Sequence, residues 1–337
     1  MVLFRPNVAS PTQVAQLVAD LRGAAPADLP LPVVVDQEGG LVQRLRAPLT
    51  EWPSMLAVGD AGDPVRSQQV GQALGEELAL LGIGWTFAPV LDVHTNADNP
   101  VIGTRAFGRT PADVVTHALA FWQGLRAAGV LGCGKHFPGH GDTALDSHHE
   151  LPVVGHPIDR LRAVELAPFV AAVQGGAEAL MTAHVMYPAL DSANPSTLSS
   201  EIASGLLRAG LGFRGLLVSD DLGMKAVADR FSIEEIVTRG LAAGVDHFII
   251  RGPLERQQAA FEALVRAGET SAALRARLEE SAARVAAFKR LLRVGPPAPA
   301  ERLAAIFPWS EHRALAASFG AGSPGSGPGS HSPVAVT

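Results

Sequence analysis

A chain of 337 residues with net charge −6 and a pI near 6.0 has room for one large α/β barrel or two average domains. Only three of its 27 basic residues are lysine and no basic run occurs, which argues against a nucleic-acid partner. The single cysteine, Cys133, has no partner for a disulfide, and no apolar run approaches the ~20 residues of a membrane helix or the pattern of a signal peptide. The chain reads as soluble and cytoplasmic, with no membrane contact and Cys133 as a small buried strand residue.

In chain order, short runs rich in Val, Leu and Ile occupy 2–4, 31–35, 84–91, 130–134, 179–183, 215–219 and 245–250. Segments of helical period lie between them, at 63–81, 111–128, 158–174, 198–209 and 232–243. Thr110 before "PADVV" and Ser196 before "TLSSEIASGLL" look like helix starts. The alternation predicts βα units about a parallel sheet. Residues 254–293 read as two further helices, the second with mixed charge suited to a solvated face. A short amphipathic piece comes next, and the Gly, Ser and Pro of the last stretch predict disorder. The predicted organisation is a barrel over 1–295, a helical extension over 296–317 and a disordered tail over 318–337.

Most of the apolar runs give way to polar residues: Asp36, Asp92, Lys135 with His136, His184, Asp220 with Asp221, and Arg251. In a parallel β/α barrel those strand ends share the face on which active sites are built. Any single strand must end in something polar, but the succession points to one polar pocket.

The stretch "KHFPGHGDTALDSHH", 135–149, holds four histidines and two aspartates. Imidazoles and carboxylates first suggest a metal, yet no HExxH, CxxC or strand-borne HxH pair is present. The other chemistry is proton transfer. Asp146 lies two residues from His148, close enough in a loop to accept a bond from one ring nitrogen and leave the other free. A histidine so held can protonate a leaving group near neutral pH. It needs a nucleophile, and "LLVSDDLGM" offers Asp220 at the tip of an apolar strand, while Asp221 suits a helix N-cap better. Both the metal and the acid/base reading remain open on these residues alone.

Six blocks in order carry a family resemblance: "DQEGG" (36–40), "FAPVLDV" (87–93), "IGTRAFG" (102–108), "KHFPGHGDTALDSHHELP" (135–152), "MTAHVMYPALD" (181–191) and "LLVSDDLGMKA" (216–226). Together they resemble the glycoside hydrolase family 3 β-N-acetylglucosaminidases of the NagZ type. The resemblance implies a single (β/α)8-type TIM barrel. It also implies a retaining exo-β-N-acetylglucosaminidase that removes terminal β-linked GlcNAc, acting on cell-wall muropeptides (GlcNAc-1,6-anhydro-MurNAc-peptides) in peptidoglycan recycling. By that likeness Asp220 is the nucleophile, and His148 the general acid/base with Asp146 as its dyad partner. Asp36, Arg105, Lys135 and His136 hold the sugar, and His140, Asp142 and Thr143 serve as loop scaffold with His149 facing solvent. No cofactor or metal is implied, and the protein would act as a monomer on a small carbohydrate.

Two departures stand out. The family pattern has an arginine directly after "DQEGG", where this chain has Leu41. Relatives also carry one more strand and helix before the block that "MVLFRPN" resembles, so the barrel either lacks its first strand–helix unit or begins upstream. A metal-dependent barrel hydrolase and a non-catalytic sugar-binding family member are the alternative readings.

Overall fold

The computed structural model describes residues 1–26, 29–147 and 150–320. Strands β1 (Val2–Leu3), β2 (Val34–Val35) and β5 (Trp85–Thr86) pair in parallel in that order. β6 (Gly134–Phe137), β7 (Ala179–Thr182), β8 (Leu216–Asp221) and β9 (His247–Ile249) form a second parallel sheet, also in chain order. Parallel bridges at Trp85–Leu131 and Val90–Lys135 connect the two sheets through the segment entering β6. An antiparallel hairpin, β3 (Gln37–Gly39) with β4 (Val42–Gln43), projects from the end of β2.

The strands are largely buried on both faces, as expected of a parallel sheet covered by helices. Alternate residues Ala179 and Met181, and Leu216 and Val218, join Val34, Trp85, Phe87 and Cys133 in one apolar cluster. Their neighbours Leu180 and Leu217 pack in the larger cluster with the helices. Phe288 of the helix Ala272–Leu291 closes the inner cluster, with its ring 4.7 Å from Trp85. Cys133 is fully buried there, and burial pushes its thiol well above the ordinary range, so it is chemically quiet. Among the described residues no strand pairing joins β9 to β1. The Arg251 guanidinium instead lies 5.0 Å over the Phe4 ring across that gap.

Helices Pro64–Leu80 and Pro111–Ala127 fall where the apolar period places them, each opened by a capping side chain (Asp63, Thr110) and a proline in the first turn. The segment 158–174, expected as one helix, is two: Ile158–Ala163 and Ala167–Gln174. Pro168, in the first turn of the second, has no N–H for a continuous helix. The segment expected over 198–209 is a 3₁₀ turn at Ser196–Leu198 followed by a π-helix over Glu201–Gly210. The predicted strand at 130–134 pairs instead over Gly134–Phe137, with only the Leu131 bridge before it.

At the C-terminal side, Leu254–Thr270 and Ala272–Leu291 form the two expected helices, followed by Ala300–Ile306 and Ser310–Ala317. His312 anchors this last helix, packing between Glu77 (3.1 Å) and Glu76 (3.3 Å) under the stacked Trp309 ring. Of the tail expected to be disordered, residues 321–337 lie outside the described residues. No described helix is long and apolar enough to cross a membrane.

Candidate active site

One cavity of about 830 Å³, counting its open mouth, lies at the C-terminal ends of the strands. Of the strand-end residues, Asp36, Lys135, His136, Asp220, Asp221 and Arg251 line it, whereas Asp92 and His184 stay buried behind it.

The first wall is made by the hairpin. The Gln37 side chain stitches it, accepting from the N–H of Arg44 (3.1 Å) and Leu45 (3.0 Å) and donating to the Leu45 carbonyl (2.8 Å). Gly39 and Gly40 turn the chain at positive φ, and a Cβ on Gly40 would sit 2.8 Å from the Ser54 backbone. This turn points Glu38 and Arg44 into the cavity and leaves Leu41 outside, 73% exposed. The position that departs from the family pattern therefore does not face the site. Arg44, further along the hairpin, lines the cavity 3.6 Å from Asp36.

Glu38 is the hub of an ionic network. Arg105 binds it through two bonds of 2.8 Å, and the Lys135 ammonium lies 2.5 Å from it and 2.9 Å from Asp36. Burial would push the Glu38 carboxyl up, but Arg105 and Lys135 outweigh it and hold the group down at about 2. Burial likewise opposes the charge on Lys135 and Arg105, yet the facing carboxylates raise both above their ordinary values. These three groups are thus ionised near neutral pH. Asp36 keeps acceptor capacity toward the cavity, which suits it to sugar hydroxyls. Glu38 and Arg44 escaped the sequence reading, although both lie within a few residues of Asp36.

The second element is β6, within which the Lys135–His136 peptide is cis, together with the loop that follows it. Buried Asp92 accepts from the His136 N–H (3.1 Å), the His136 ring Nδ1 (2.7 Å) and the His140 N–H (2.6 Å). Burial raises the Asp92 carboxyl, but His136 and His140 bring it below the usual range. Asp92 thereby fixes the His136 ring with Nε2 as the nitrogen it does not engage, the tautomer following from the network. His140 uses both ring nitrogens, on Thr143 (2.8 Å) and Ser147 (2.9 Å), and burial with His136 close by lowers it to about 4. Asp142 takes the Thr95 hydroxyl (2.8 Å) and His156. Among the described residues no group of three His, Cys, Asp or Glu side chains could hold a metal ion. Asp146 is half-buried beside Ser147, which lines the cavity, while His148 and His149 lie outside the described residues.

The third element is the end of β8. Asp220 is half-buried, and its Oδ1 accepts the Asp221 N–H at 2.7 Å. Burial favours its neutral form, but His136, His184, the Asp221 N–H and Lys135 together bring it below the usual carboxylate range. It is an ionised carboxylate held at the edge of an open cavity. Asp221 does not cap a helix, as its sequence setting suggests. Its Oδ1 instead accepts the N–H groups of Gly223 (2.9 Å) and Arg251 (3.0 Å), and the next helix begins after Met224 without a side-chain cap. Behind it, buried His184 bonds Thr197 (2.8 Å) and the Asp221 carbonyl (3.1 Å), with burial holding it below its ordinary value.

Ionised carboxylates around a fixed cationic network suit a polyhydroxylated ligand, and residues 1–288 match the glycosyl hydrolase family 3 N-terminal domain. The chain belongs to glycoside hydrolase family 3. Within the family its kinship is with the β-hexosaminidases. It is 36% identical over 317 residues to "Beta-hexosaminidase A" of Pseudoalteromonas piscicida, covering 86% of this chain and 53% of that protein. It is 39% identical over 259 residues to a Xanthomonas campestris "Beta-hexosaminidase", covering 75% of this chain and 77% of that one. Among solved structures, a family 3 β-N-acetylglucosaminidase from a Paenibacillus species superposes with TM-score 0.86 at 39% identity, over 94% of this chain and 61% of the other. NagZ from Neisseria gonorrhoeae, in complex with N-trifluoroacetyl-D-glucosamine, gives TM-score 0.76 at 31% identity over 94% and 88%. The chain thus spans about half the length of the Pseudoalteromonas relative. The family 3 likeness carries an α/β fold of the N-terminal-domain type.

Proposed function

We propose that the protein is a retaining exo-β-N-acetylglucosaminidase that releases terminal GlcNAc from muropeptides in peptidoglycan recycling, as a cytoplasmic monomer without a cofactor. The observation that carries the reading is Asp220: an ionised carboxylate at the tip of β8, facing a cavity whose other wall is an Asp36, Glu38, Arg44, Arg105 and Lys135 network. A neighbour of the same fold that binds an N-acylated glucosamine supports the sugar assignment.

In the proposed reaction Asp36, Arg105, Lys135 and His136 hold the sugar, with Arg44 beside them. Asp220 attacks C1 as His148, oriented by Asp146, gives a proton to the departing oxygen. An α-linked glycosyl ester of Asp220 results. His148 then takes a proton from water, which displaces Asp220 and returns the β-configured sugar. Retaining glycosidases ordinarily place two carboxyl groups about 5–5.5 Å apart, and here a histidine takes the second role. We read the seven parallel strands as one curled sheet of barrel type, which would bring these groups to a common mouth.

Hydrolysis of 4-nitrophenyl N-acetyl-β-glucosaminide, with proton NMR of the first product, tests the proposal. β-GlcNAc appearing before mutarotation supports it. Absence of turnover, or an initial α-anomer, would overturn it.

A further inference from the structure

In the proposed reaction the acid/base pair, Asp146 and His148, belongs to the loop after β6 rather than to a strand. The two ends of that loop are anchored on different neighbours. At its start the Asn99 side-chain amide donates to the His140 carbonyl (2.9 Å) and the Thr143 hydroxyl (3.2 Å), and the Asn96 amide donates to the Thr143 carbonyl (3.2 Å). At its far end the Val154 N–H donates to the Met186 carbonyl (2.9 Å), and the Met186 N–H to the Pro152 carbonyl (2.9 Å).

His156 joins the two anchors. Its Nε2 bonds Asp142 Oδ2 across fourteen residues of chain, while Asp142 Oδ1 accepts the Thr95 hydroxyl (2.8 Å). Both Asp142 oxygens are thus engaged, each on a different segment. The two side chains are 22% and 35% exposed, so the pair is less open to solvent than an ordinary surface contact. Nearby Glu165 does not compete for the ring, because Arg160 holds it through bonds of 2.7 and 2.9 Å. An Nε2–H donates from the neutral ring as well as from the protonated one, so the bond does not require a charged histidine.

Thr95, Asp142 and His156 are absent from the cavity lining. Their contact therefore reaches the chemistry only through the loop it ties, and the tied span, 142–156, brackets Asp146 and His148. A general acid works only within hydrogen-bond reach of the departing oxygen, and a small misplacement is costly.

We propose that His156 is a positioning residue for the acid/base step, holding the loop at its productive span by pinning Asp142. The inference rests on the hexosaminidase reading and adds to that site a residue outside its cavity.

The test is a series of aryl N-acetyl-β-glucosaminides whose leaving groups run from acidic 2,4-dinitrophenol to weakly acidic phenol. Their kcat/KM values report the steps up to departure of the phenol. The acidic phenol leaves without a proton, whereas phenol itself needs one. The wild type should show a shallow dependence on leaving-group acidity. In His156→Ala, kcat/KM should fall about tenfold for the phenyl glycoside and stay within about twofold for the 2,4-dinitrophenyl one. His156→Leu, which keeps bulk but no donor, should do the same and serves if the alanine variant fails to fold. His156→Gln, whose amide N–H can reach the same carboxylate, should restore most of the loss. A merely structural role would lower the folded fraction and shift every substrate alike. Equal losses on all substrates, an unchanged profile, or a glutamine variant as impaired as the alanine one overturns the proposal while leaving the hexosaminidase reading intact. Failure of the wild type on the whole series sinks both readings.

Discussion

Both ends of the parallel strands carry an ionic network, and they are built to opposite purposes. At the N-terminal end of β9, Asp246 is saturated: one oxygen accepts from Arg277 (2.7 Å), Arg284 (3.1 Å) and Ser281 (3.1 Å), the other from Arg208 (2.5 Å) and the Leu217 N–H (3.0 Å). Its side chain is wholly buried, and its bonds tie the helix Ala272–Leu291 to β8 and β9. At the other end Asp36 accepts one bond of 2.9 Å, stands 3.6 Å from Arg44 and faces an open cavity. Charge density alone does not mark a functional site. Spare hydrogen-bonding capacity turned toward open volume does.

Opposite phenotypes should therefore come from the two ends. Asp220→Asn should lower kcat/KM at least about a thousandfold in steady-state assays, with cooperative unfolding preserved in a thermal melt. Asp246→Ala should do the reverse. Removing the buried carboxylate that Arg208, Arg277 and Arg284 share costs about 3–5 kcal/mol in denaturant unfolding, while the folded fraction keeps its kcat. An Asp246 variant of normal stability would break the contrast.

Within the active-site end, Arg44→Ala should raise KM about tenfold, as removal of a charge-assisted contact to substrate does. Leu41→Arg should leave KM within about twofold, because that side chain faces solvent and makes no contact in the cavity for an arginine to strengthen. A fall in KM on restoring the arginine would mean that the hairpin tip reaches the sugar.

The smallest effect is on acid stability. Glu38 is lowered to about 2, so its contribution is present above the unfolded carboxyl value of about 4.3 and is lost as pH falls toward 2. His140, held neutral at about 4, acts in the same direction: the unfolded chain takes up its proton from about pH 6.5 downward and the folded chain only near 4. Unfolding free energy, measured by denaturant titration, should decline from about pH 7 to about pH 4, and His140→Asn should flatten that decline if the variant folds.

Asp36, Lys135, His136 and Asp220 were legible because each lies at or just past the end of an apolar run, and a parallel sheet sends all such ends to one face. Glu38 and Arg44 were not, because their direction depends on the Gly39–Gly40 turn and the Gln37 stitch. Leu41 drew notice by sequence adjacency, yet the same turn directs it outward. The break at Pro168 was readable from proline alone, whereas the shift of β6 to Gly134–Phe137 depends on pairing with β7. Asp221 has the local setting of a cap, because nearby sequence cannot show that the N–H of Arg251, thirty residues on, claims its carboxylate.

The central claim is that Asp220 forms a covalent bond to the sugar. Incubation with a fluorinated, slowly hydrolysed N-acetylglucosaminide, then intact-mass measurement and peptide mapping, tests it most directly. The expected result is one added glycosyl group per chain, on the peptide containing residues 216–221, absent from Asp220→Asn. A glycosyl adduct on any other residue, or inactivation without an adduct on that peptide, would contradict it.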